Sequence, residues 1–220
     1  MGKTFIEHGG ERYHERAHPD AYELALAAMS SLPAGDVLDV GAGAGYTSAR
    51  LAERGHRVRA VDIHVEQFVP REIPCIKADL NGRLPFDDAS FDGVLALEII
   101  EHLEAPRAFL RELARVVRPG GTVVVSTPNI TSLRSKLRFM WNGEFTLFFN
   151  AERRTRDPFC AEASGHISPI LPWLLEIFMR DAGLQPQTWS WSKSRLGVRT
   201  RHLAKTVIVS ATRVANDASP

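Results

Sequence analysis

A short apolar run followed by three alternating glycines is the feature that most limits what this chain can fold into. The run at 37–40 is rich in β-branched residues and predicts a buried strand. Gly41, Gly43 and Gly45 follow within five residues, and helical spacing resumes directly after them. Glycines allow a tight turn and let the backbone approach a ligand where side chains would clash. The segment therefore predicts a strand, a ligand-binding turn and a helix.

Strand and helix patterns alternate along the chain after this unit. Further strands are predicted at 56–62, 73–78, 91–99, 122–127, 186–192 and 205–213, and helices at 20–31, 46–54, 105–117 and 170–182. Alternation at this spacing predicts parallel strands joined by right-handed crossovers. The last two strands are expected to pair in antiparallel fashion. The fold class is therefore α/β, a doubly wound, seven-stranded, mostly parallel sheet with an antiparallel last strand.

Length and composition fit a single domain spanning 1–220. Hydrophobic residues make up 44% and charged residues 24% of the chain, which is typical of globular proteins. We predict N-terminal cap helices over 1–34. Residues 129–167 are irregular and aromatic, and we predict that they form a substrate-side insertion or lid.

The two cysteines and the hydropathy pattern bear on the compartment. Cys75 and Cys160 offer no disulfide framework, which favours a reducing environment. No apolar run approaches the roughly 20 residues needed to span a bilayer. We therefore expect a soluble, cytoplasmic protein.

Charge is distributed unevenly between the two parts of the chain. Residues 1–120 hold 14 Lys and Arg against 19 Asp and Glu, whereas residues 121–220 hold 13 against 7. A basic second part can face an anionic substrate, a membrane surface or nucleic acid, or can simply be solvated. Within it, residues 133–149 interleave basic and aromatic side chains. This mixture fits a peripheral membrane contact, a platform for stacking bases, or a lid packed over a site, and we favour the lid.

Acidic residues narrow the possible ligands of the glycine turn. No Gly-Lys-Ser/Thr follows the glycines, which excludes a phosphate-binding NTPase loop. Asp62 lies 23 residues after Asp39, at the end of the second predicted strand, where a carboxylate can accept hydrogen bonds from ribose hydroxyls. These features alone would also allow a nicotinamide dinucleotide.

Five ordered motifs carry a resemblance to a known family. They are VLDVGAGAGYTS at the first strand, Asp62, KADL at 77–80, LPFDDASFDGVLALEIIEHL and RVVRPGGTVVVSTPN. Together, residues 37–128 resemble the class I S-adenosylmethionine-dependent methyltransferases. The resemblance implies a Rossmann-like methyltransferase fold with S-adenosylmethionine as cofactor.

The resemblance also implies a cofactor site. Asp39 and the Gly41–Gly45 backbone would hold the methionine portion, Asp62 the ribose, and Asp79 with Leu80 the adenine. The full cofactor-binding set that it implies is Asp39, Gly41, Ala42, Gly43, Asp62, Ile63, Asp79, Leu80 and Leu97. His8, His14 and His18 are either surface residues or part of a flexible cap over the cofactor.

Titratable residues cluster after the fourth predicted strand. Glu98, Glu101 and His102 form an E-x-x-E-H pattern, and His166 lies in the irregular segment. We predict that these four residues face the reaction, where they could accept a proton or contact the acceptor. The pattern is similar to that of ubiquinone-biosynthesis O-methyltransferases and small-RNA 3′-terminal 2′-O-methyltransferases. In those families glutamates and histidines bind a divalent cation, so Glu98, Glu101 and His102 are candidate ligands of Mg²⁺, Mn²⁺ or Zn²⁺, with His166 as a further ligand.

The preferred function is methyl transfer to an oxygen of a small or lipid-linked hydroxylated acceptor. The enzymatic alternative is metal-assisted 2′-O-methylation of RNA, although we expect no nucleic-acid partner. An accessory subunit that keeps only the fold would be expected to lack the glycines or Asp62, and both are present. A nicotinamide-dependent oxidoreductase is the remaining alternative. The sequence carries no signal for an oligomeric state.

Overall fold

The computed structural model describes residues 5–14, 19–148, 165–194 and 197–215. The strands are β1 Phe5–His8, β2 Glu11–His14, β3 Asp36–Val40, β4 Arg57–Asp62, β5 Cys75–Lys77, β6 Phe91–Leu97, β7 Val117–Pro128, β8 Leu184–Trp191 and β9 Thr206–Arg213. The α-helices are α1 Pro19–Ala28, α2 Tyr46–Glu53, α3 Pro106–Val116, α4 Leu133–Asn142 and α5 Pro172–Asp181. Short 3₁₀ turns lie at Val65–Gln67 and Ile100–His102.

Seven strands form one sheet in the order β5-β4-β3-β6-β7-β9-β8. The pairs among β5, β4, β3, β6 and β7 are parallel, whereas β9 runs antiparallel to both β7 and β8. The predicted α/β sheet with its antiparallel last strand is therefore confirmed. Strand order reverses at β3, whose neighbours β4 and β6 lie on opposite sides, and such switch points are where doubly wound sheets bind ligands.

Apolar side chains alternate along the strands and contribute to two hydrophobic cores, one on each face of the sheet. Leu38 and Val40 pack on the face covered by α3 and α5, while Val37 packs on the face covered by α1 and α2. The amphipathic α3 buries Phe109, Leu110, Leu113, Ala114 and Val116. Both faces of the central strands are thus covered, as expected for parallel sheets.

The prediction of cap helices over 1–34 is wrong for its first part. Only α1 is helical there among the described residues, and β1 pairs with β2 in an antiparallel hairpin. Gly9 and Gly10 both have positive φ, 59° and 82°, which suits a two-residue turn whose twist matches the strands. Tyr13 from this hairpin packs against Ala44 and Tyr46 beside the glycine turn. A strand cap therefore stands where helices were predicted; His18 lies outside the described residues.

The segment predicted to be irregular contains a helix. Ser132 begins α4 by accepting a hydrogen bond from the Ser135 amide, and Gly143 ends it in a left-handed conformation. Both are standard helix-end signals, so an irregular assignment for this stretch is wrong. Residues 149–164, within the predicted lid, lie outside the described residues. No helix in the described ranges is long and apolar enough to cross a bilayer.

Candidate active site

The chemistry-bearing residues converge at the carboxyl ends of neighbouring strands. Asp39 lies near the end of β3, Asp62 ends β4, Glu98 directly follows β6, and Ser126 lies near the end of β7. These strands are parallel neighbours, so their ends share one edge of the sheet. The candidate active site is built on that edge.

Glycine is required at both ends of the turn after β3. Gly41 has a φ of 73°, and a Cβ atom there would lie 2.2 Å from Ile99 Cδ1. Gly45, at the start of α2, has a φ of 88°, and a Cβ atom there would lie 2.6 Å from Phe68 Cε2. The turn therefore needs glycine for its backbone conformation and for the close approach of its neighbours.

Several amides of the turn are used within the protein. Gly41 N and Ala42 N both donate to Val61 O, at 2.8 and 3.2 Å, and Gly43 N donates to Asp62 Oδ2 at 2.8 Å. At the N-terminus of α2 the Ser48 amide is bonded to the Asp39 carboxylate. The other first-turn amides have no acceptor within the helix and are the donors that a helix N-terminus offers to an anionic group. The glycines thus shape the crevice, and the helix N-terminus provides its positive end.

Asp39 holds the turn against α2. Its carboxylate is buried and accepts hydrogen bonds from Thr47 Oγ1 at 2.6 Å and Ser48 Oγ at 2.7 Å. Burial raises the pKa of Asp39, and the two hydroxyl hydrogen bonds oppose that rise. Asp39 therefore fixes the position of the first turn of α2.

Asp62 and its neighbours line the next part of the edge. Besides Gly43 N, its carboxylate accepts the His64 amide at 2.8 Å, and each oxygen retains a lone pair for a further donor such as a hydroxyl. Ile63 follows with 49% of its surface exposed, although it is apolar. Asp79 is exposed and binds the Asn81 backbone and side chain, while Leu80 is buried beside it. An exposed Ile63 is suited to covering one face of a flat ring.

Glu98 is held in a strained conformation by Ser126. Its φ is 54°, a left-handed value that is uncommon for a residue with a side chain. Ser126 Oγ accepts the Glu98 amide at 3.0 Å and donates to Glu98 Oε1 at 2.9 Å. This reversal ends β6 at Leu97, two residues before the predicted end. Strain of this kind is concentrated at functional sites.

Glu98 and Glu101 form a buried acidic pair. The Glu98 carboxylate is enclosed although the residue as a whole is half-buried, and desolvation raises its pKa to about 7. Glu101 is 0% exposed, and its pKa is raised by burial and then by the Glu98 charge. Neither oxygen of Glu101 has a hydrogen-bond partner among the described residues; Thr127 lies nearby but outside hydrogen-bond geometry. Burial and the charge of a neighbouring carboxylate both favour the protonated form of a carboxyl group in such a pair.

His166 lies close to Glu101 because the two residues that follow it in the chain are hydrogen-bonded to the Glu101 backbone. The amides of Ile167 and Ser168 both donate to Glu101 O, at 2.9 and 3.0 Å. The rings of His102 and His166 then lie 4.6 Å apart, and Phe148 packs on His166 at 5.2 Å. Residues separated by more than 60 positions in the chain are thus brought into one cluster.

The donor set fits a divalent cation. One ligand atom each from Glu101, His102 and His166 lies within 4.8 Å of the others. Two imidazoles and one carboxylate suit Zn²⁺, Mn²⁺ or Fe²⁺, and the buried Glu101 oxygens, which have no hydrogen-bond partner within the described part of the chain, could serve as ligands. The set differs from the expected one, because Glu98 is engaged by Ser126 and does not belong to this group.

Sequence reasoning missed several contributors to the site. Ser126 and Thr127 lie in the RVVRPGGTVVVSTPN segment, from which the sequence predicts only a strand. Ile99 is not among the predicted site residues. Tyr13 was missed because its strand was predicted to be helical. The Gly9-Gly10 pair was the available signal for that hairpin.

Comparison with known proteins decides the class. Residues 38–125 match the family model described as "Methyltransferase domain". Those residues are a methyltransferase domain. The match covers the glycine turn, Asp62, Asp79 and the E-x-x-E-H pattern, so the family resemblance is confirmed.

Curated relatives match the methyltransferase domain over similar lengths. A probable S-adenosylmethionine-dependent methyltransferase of Mycobacterium tuberculosis is 40% identical over 125 residues, covering 54% of this chain and 44% of the relative. A ubiquinone biosynthesis O-methyltransferase of Xanthomonas campestris is 34% identical over 118 residues, covering 48% of each. The chain thus spans about half the length of these relatives.

Solved structures support the fold of the methyltransferase domain and its surroundings. An S-adenosylmethionine-dependent methyltransferase from Archaeoglobus fulgidus superposes with a TM-score of 0.63 at 19% identity, over 87% of this chain and 94% of the other. The Rossmann-like methyltransferase fold is therefore confirmed.

Proposed function

We propose that the chain transfers a methyl group from S-adenosylmethionine to an oxygen of a small or lipid-linked hydroxylated acceptor. The observation that carries the proposal is the buried pair Glu98 and Glu101, with the half-buried imidazoles of His102 and His166 next to Glu101. Ile99, which lies between the two glutamates in the chain, packs against Gly41 of the glycine turn. When bound, the cofactor supplies a methyl group already activated by its sulfonium. The chain's own residues must then align the acceptor and take its proton.

The cofactor would lie along the edge from β3 to β5. The first turn of α2 would receive its carboxylate, Asp62 its ribose hydroxyls, and Ile63 with Leu80 its adenine ring. Leu97 and the backbone after β6 would bound the methyl end. The geometry of Asp39 supports an indirect role in this arrangement, since it positions α2.

The acidic and imidazole cluster would hold the acceptor hydroxyl. A carboxyl with a pKa near 7 exchanges a proton readily at neutral pH. His102, which is more exposed than its neighbour Glu101, is our candidate for the group that receives the proton when no cation occupies the cluster. A ubiquinone biosynthesis O-methyltransferase among the relatives supports a hydroxylated acceptor, and a demethylmenaquinone methyltransferase, also among them, supports a quinone-like ring.

A divalent cation at Glu101, His102 and His166 is part of the proposal. If bound, it would lower the pKa of a coordinated hydroxyl and orient the acceptor. The three side chains would hold it, while Glu98 would remain on Ser126. Two observations support this: the donor set contains two imidazoles, and the described residues provide no hydrogen-bond partner for the Glu101 carboxylate.

The test compares His102→Ala with His202→Ala, an exposed histidine far along the chain. Methyl transfer to catechol-type and quinol-type acceptors is measured with labelled cofactor, alongside calorimetric binding of S-adenosylhomocysteine. We expect the His102 variant to lose about 10²-fold or more in kcat while it keeps its affinity for S-adenosylhomocysteine. Transfer at an undiminished rate by that variant would remove His102 from the reaction.

The cation is tested separately by calorimetric titration of Mn²⁺ and Zn²⁺ into the metal-stripped chain. We expect one site in the wild type and none in His166→Ala, with His64→Ala as the control imidazole. Equal binding by the two variants would place the ion elsewhere. Activity that resists chelators would exclude a catalytic ion but leave methyl transfer standing.

A further inference from the structure

Helix α4 presents its apolar side to solvent. Among its ten residues only Ser135 is buried. Leu133, Leu137, Met140 and Trp141, spaced at i, i+4, i+7 and i+8, share one face and are exposed by 51%, 56%, 81% and 91%. A tryptophan and a methionine this exposed, side by side, are unusual on a protein that does not use them for contact.

Contacts on the opposite side of the helix hold it in this orientation. Ser135 Oγ accepts the Thr146 amide at 3.1 Å, and Phe139 stacks on Phe145 with ring centroids 4.6 Å apart. Arg138 pairs with Glu144 at 3.1 Å. The chain after α4 thus folds back under the helix, and the four apolar side chains are directed away from it.

Positive charge borders the apolar face on both sides. Arg134 and Lys136 are exposed and flank the row on the helix surface, and no acidic residue occurs between Leu133 and Gly143. The loop at 201–205, which adds Arg201 and Lys205, adjoins the start of α4 through a 2.7 Å hydrogen bond from Leu133 N to His202 O. The surface therefore combines protruding apolar side chains with a basic border.

This surface lies beside the candidate active site. Helix α4 begins five residues after Pro128, at the edge of the sheet where Ser126 holds Glu98. The segment that folds back under α4 ends at Phe148, which packs on His166. The exposed face and the acidic cluster therefore lie at one end of the molecule.

We propose that the outward face of α4 docks on the surface of an anionic lipid bilayer. The apolar row would enter the boundary between headgroups and acyl chains, while Arg134 and Lys136 contact the phosphates. A bilayer accepts a convex row of protruding side chains without a matching groove, whereas a protein partner would have to supply one. Charge complementarity selects anionic lipid over neutral lipid. The docked chain would present its active-site edge to acceptors dissolved in the membrane.

The experiment measures binding of the full chain to vesicles by sedimentation and by tryptophan emission. Vesicles of phosphatidylcholine alone are compared with vesicles that contain phosphatidylglycerol. We expect binding to the anionic vesicles, a blue shift in emission, and at least a fivefold loss of bound protein in the double variant Met140→Ser, Trp141→Ser. The matched control is Trp173→Ser, which removes an exposed tryptophan from α5 and should change binding less than twofold.

Charge is tested by Arg134→Ser with Lys136→Ser, which should weaken binding to anionic vesicles and reduce its sensitivity to salt. Absence of vesicle binding by the wild type would overturn the proposal, as would equal binding to neutral vesicles. Self-association that the Met140 and Trp141 substitutions abolish, without vesicle binding, would assign the face to a second copy of the chain. None of these readouts uses methyl transfer, so they stand or fall independently of the proposed function.

Discussion

At the scale of single residues, Asp62 has two roles: its carboxylate stabilises the glycine turn, and the same carboxylate would bind the ribose. Its two oxygens accept the amides of Gly43 and His64, so the same carboxylate that would bind the sugar also holds the turn closed. Removing it should therefore affect both the loop and the ligand. A charged hydrogen-bond acceptor in this position is worth more than a neutral one.

We expect Asp62→Ala to weaken binding of S-adenosylhomocysteine by about 1–3 kcal/mol, because it removes charged hydrogen bonds to the ribose. Isothermal calorimetry on the purified chain measures the change. Asp79→Ala is the companion variant, since Asp79 is exposed and its carboxylate binds the amide and the side chain of nearby Asn81. Asp79→Ala should reduce the affinity for S-adenosylhomocysteine less than Asp62→Ala does. Unchanged affinity in Asp62→Ala would remove this residue from the cofactor site.

At the scale of elements, the turn between β3 and α2 depends on a neighbour from another strand. Ile99, just beyond β6, occupies the space that a side chain at Gly41 would need. The close packing of these two segments shapes the crevice between β3 and β6. A substitution at Gly41 therefore tests steric fit and backbone conformation at once.

Gly41→Ala should destabilise the fold by about 2–4 kcal/mol, since it adds a clash to the left-handed backbone penalty. Gly143→Ala is the matched control, because Gly143 has nearly the same φ, 71°, and no atom within 4 Å of the added Cβ. The Gly143 variant should lose only the free energy of unfolding that corresponds to the backbone penalty, about 1 kcal/mol. The comparison is made by urea denaturation. If Ile99→Ala fails to restore part of the loss in the Gly41 variant, the clash is not its cause.

Local patterns were sufficient for the elements whose period is regular. Most strands of the sheet and the helices that cover it were predicted within three residues at each end, because burial on a strand or helix face imposes a period of 2 or 3.6. The exception is β7, which begins five residues before its predicted start. The hairpin at 5–14 was missed because its two strands have only four residues each and their turn was not recognised. The end of β6 was misplaced because the reversal at Glu98 depends on Ser126, a residue 28 positions away.

At the scale of the whole molecule, enclosed carboxyls make stability depend on pH. Burial raises the pKa of Glu98 to about 7 and that of Glu101 as well. The folded protein therefore binds more protons than the unfolded chain between the ordinary carboxyl pKa and about 7. Stability from this source is complete below the ordinary pKa and is lost as pH rises through about 7.

We expect Glu98→Gln to flatten the fall in unfolding free energy between pH 5 and pH 8, by about 1–3 kcal/mol across that interval. The quantity to compare is the difference between wild type and variant at each pH, because other groups titrate in both. Glu104→Gln, at an exposed position, provides the control. A difference that does not vary with pH would mean that Glu98 is charged in the folded protein throughout.

The amino-acid sequence by itself determined the α/β class, the glycine turn and the carboxylates that follow the strands. These features could be predicted because they depend on hydrophobic periodicity and on residue spacing within short segments. Only the tertiary structure decided which of the distant groups meet. Backbone hydrogen bonds to Glu101 bring His166 next to Glu101 and His102. Glu98 is bonded to Ser126, and the apolar side of α4 faces outward. Such pairings depend on contacts between segments far apart in the chain, and no local pattern encodes them.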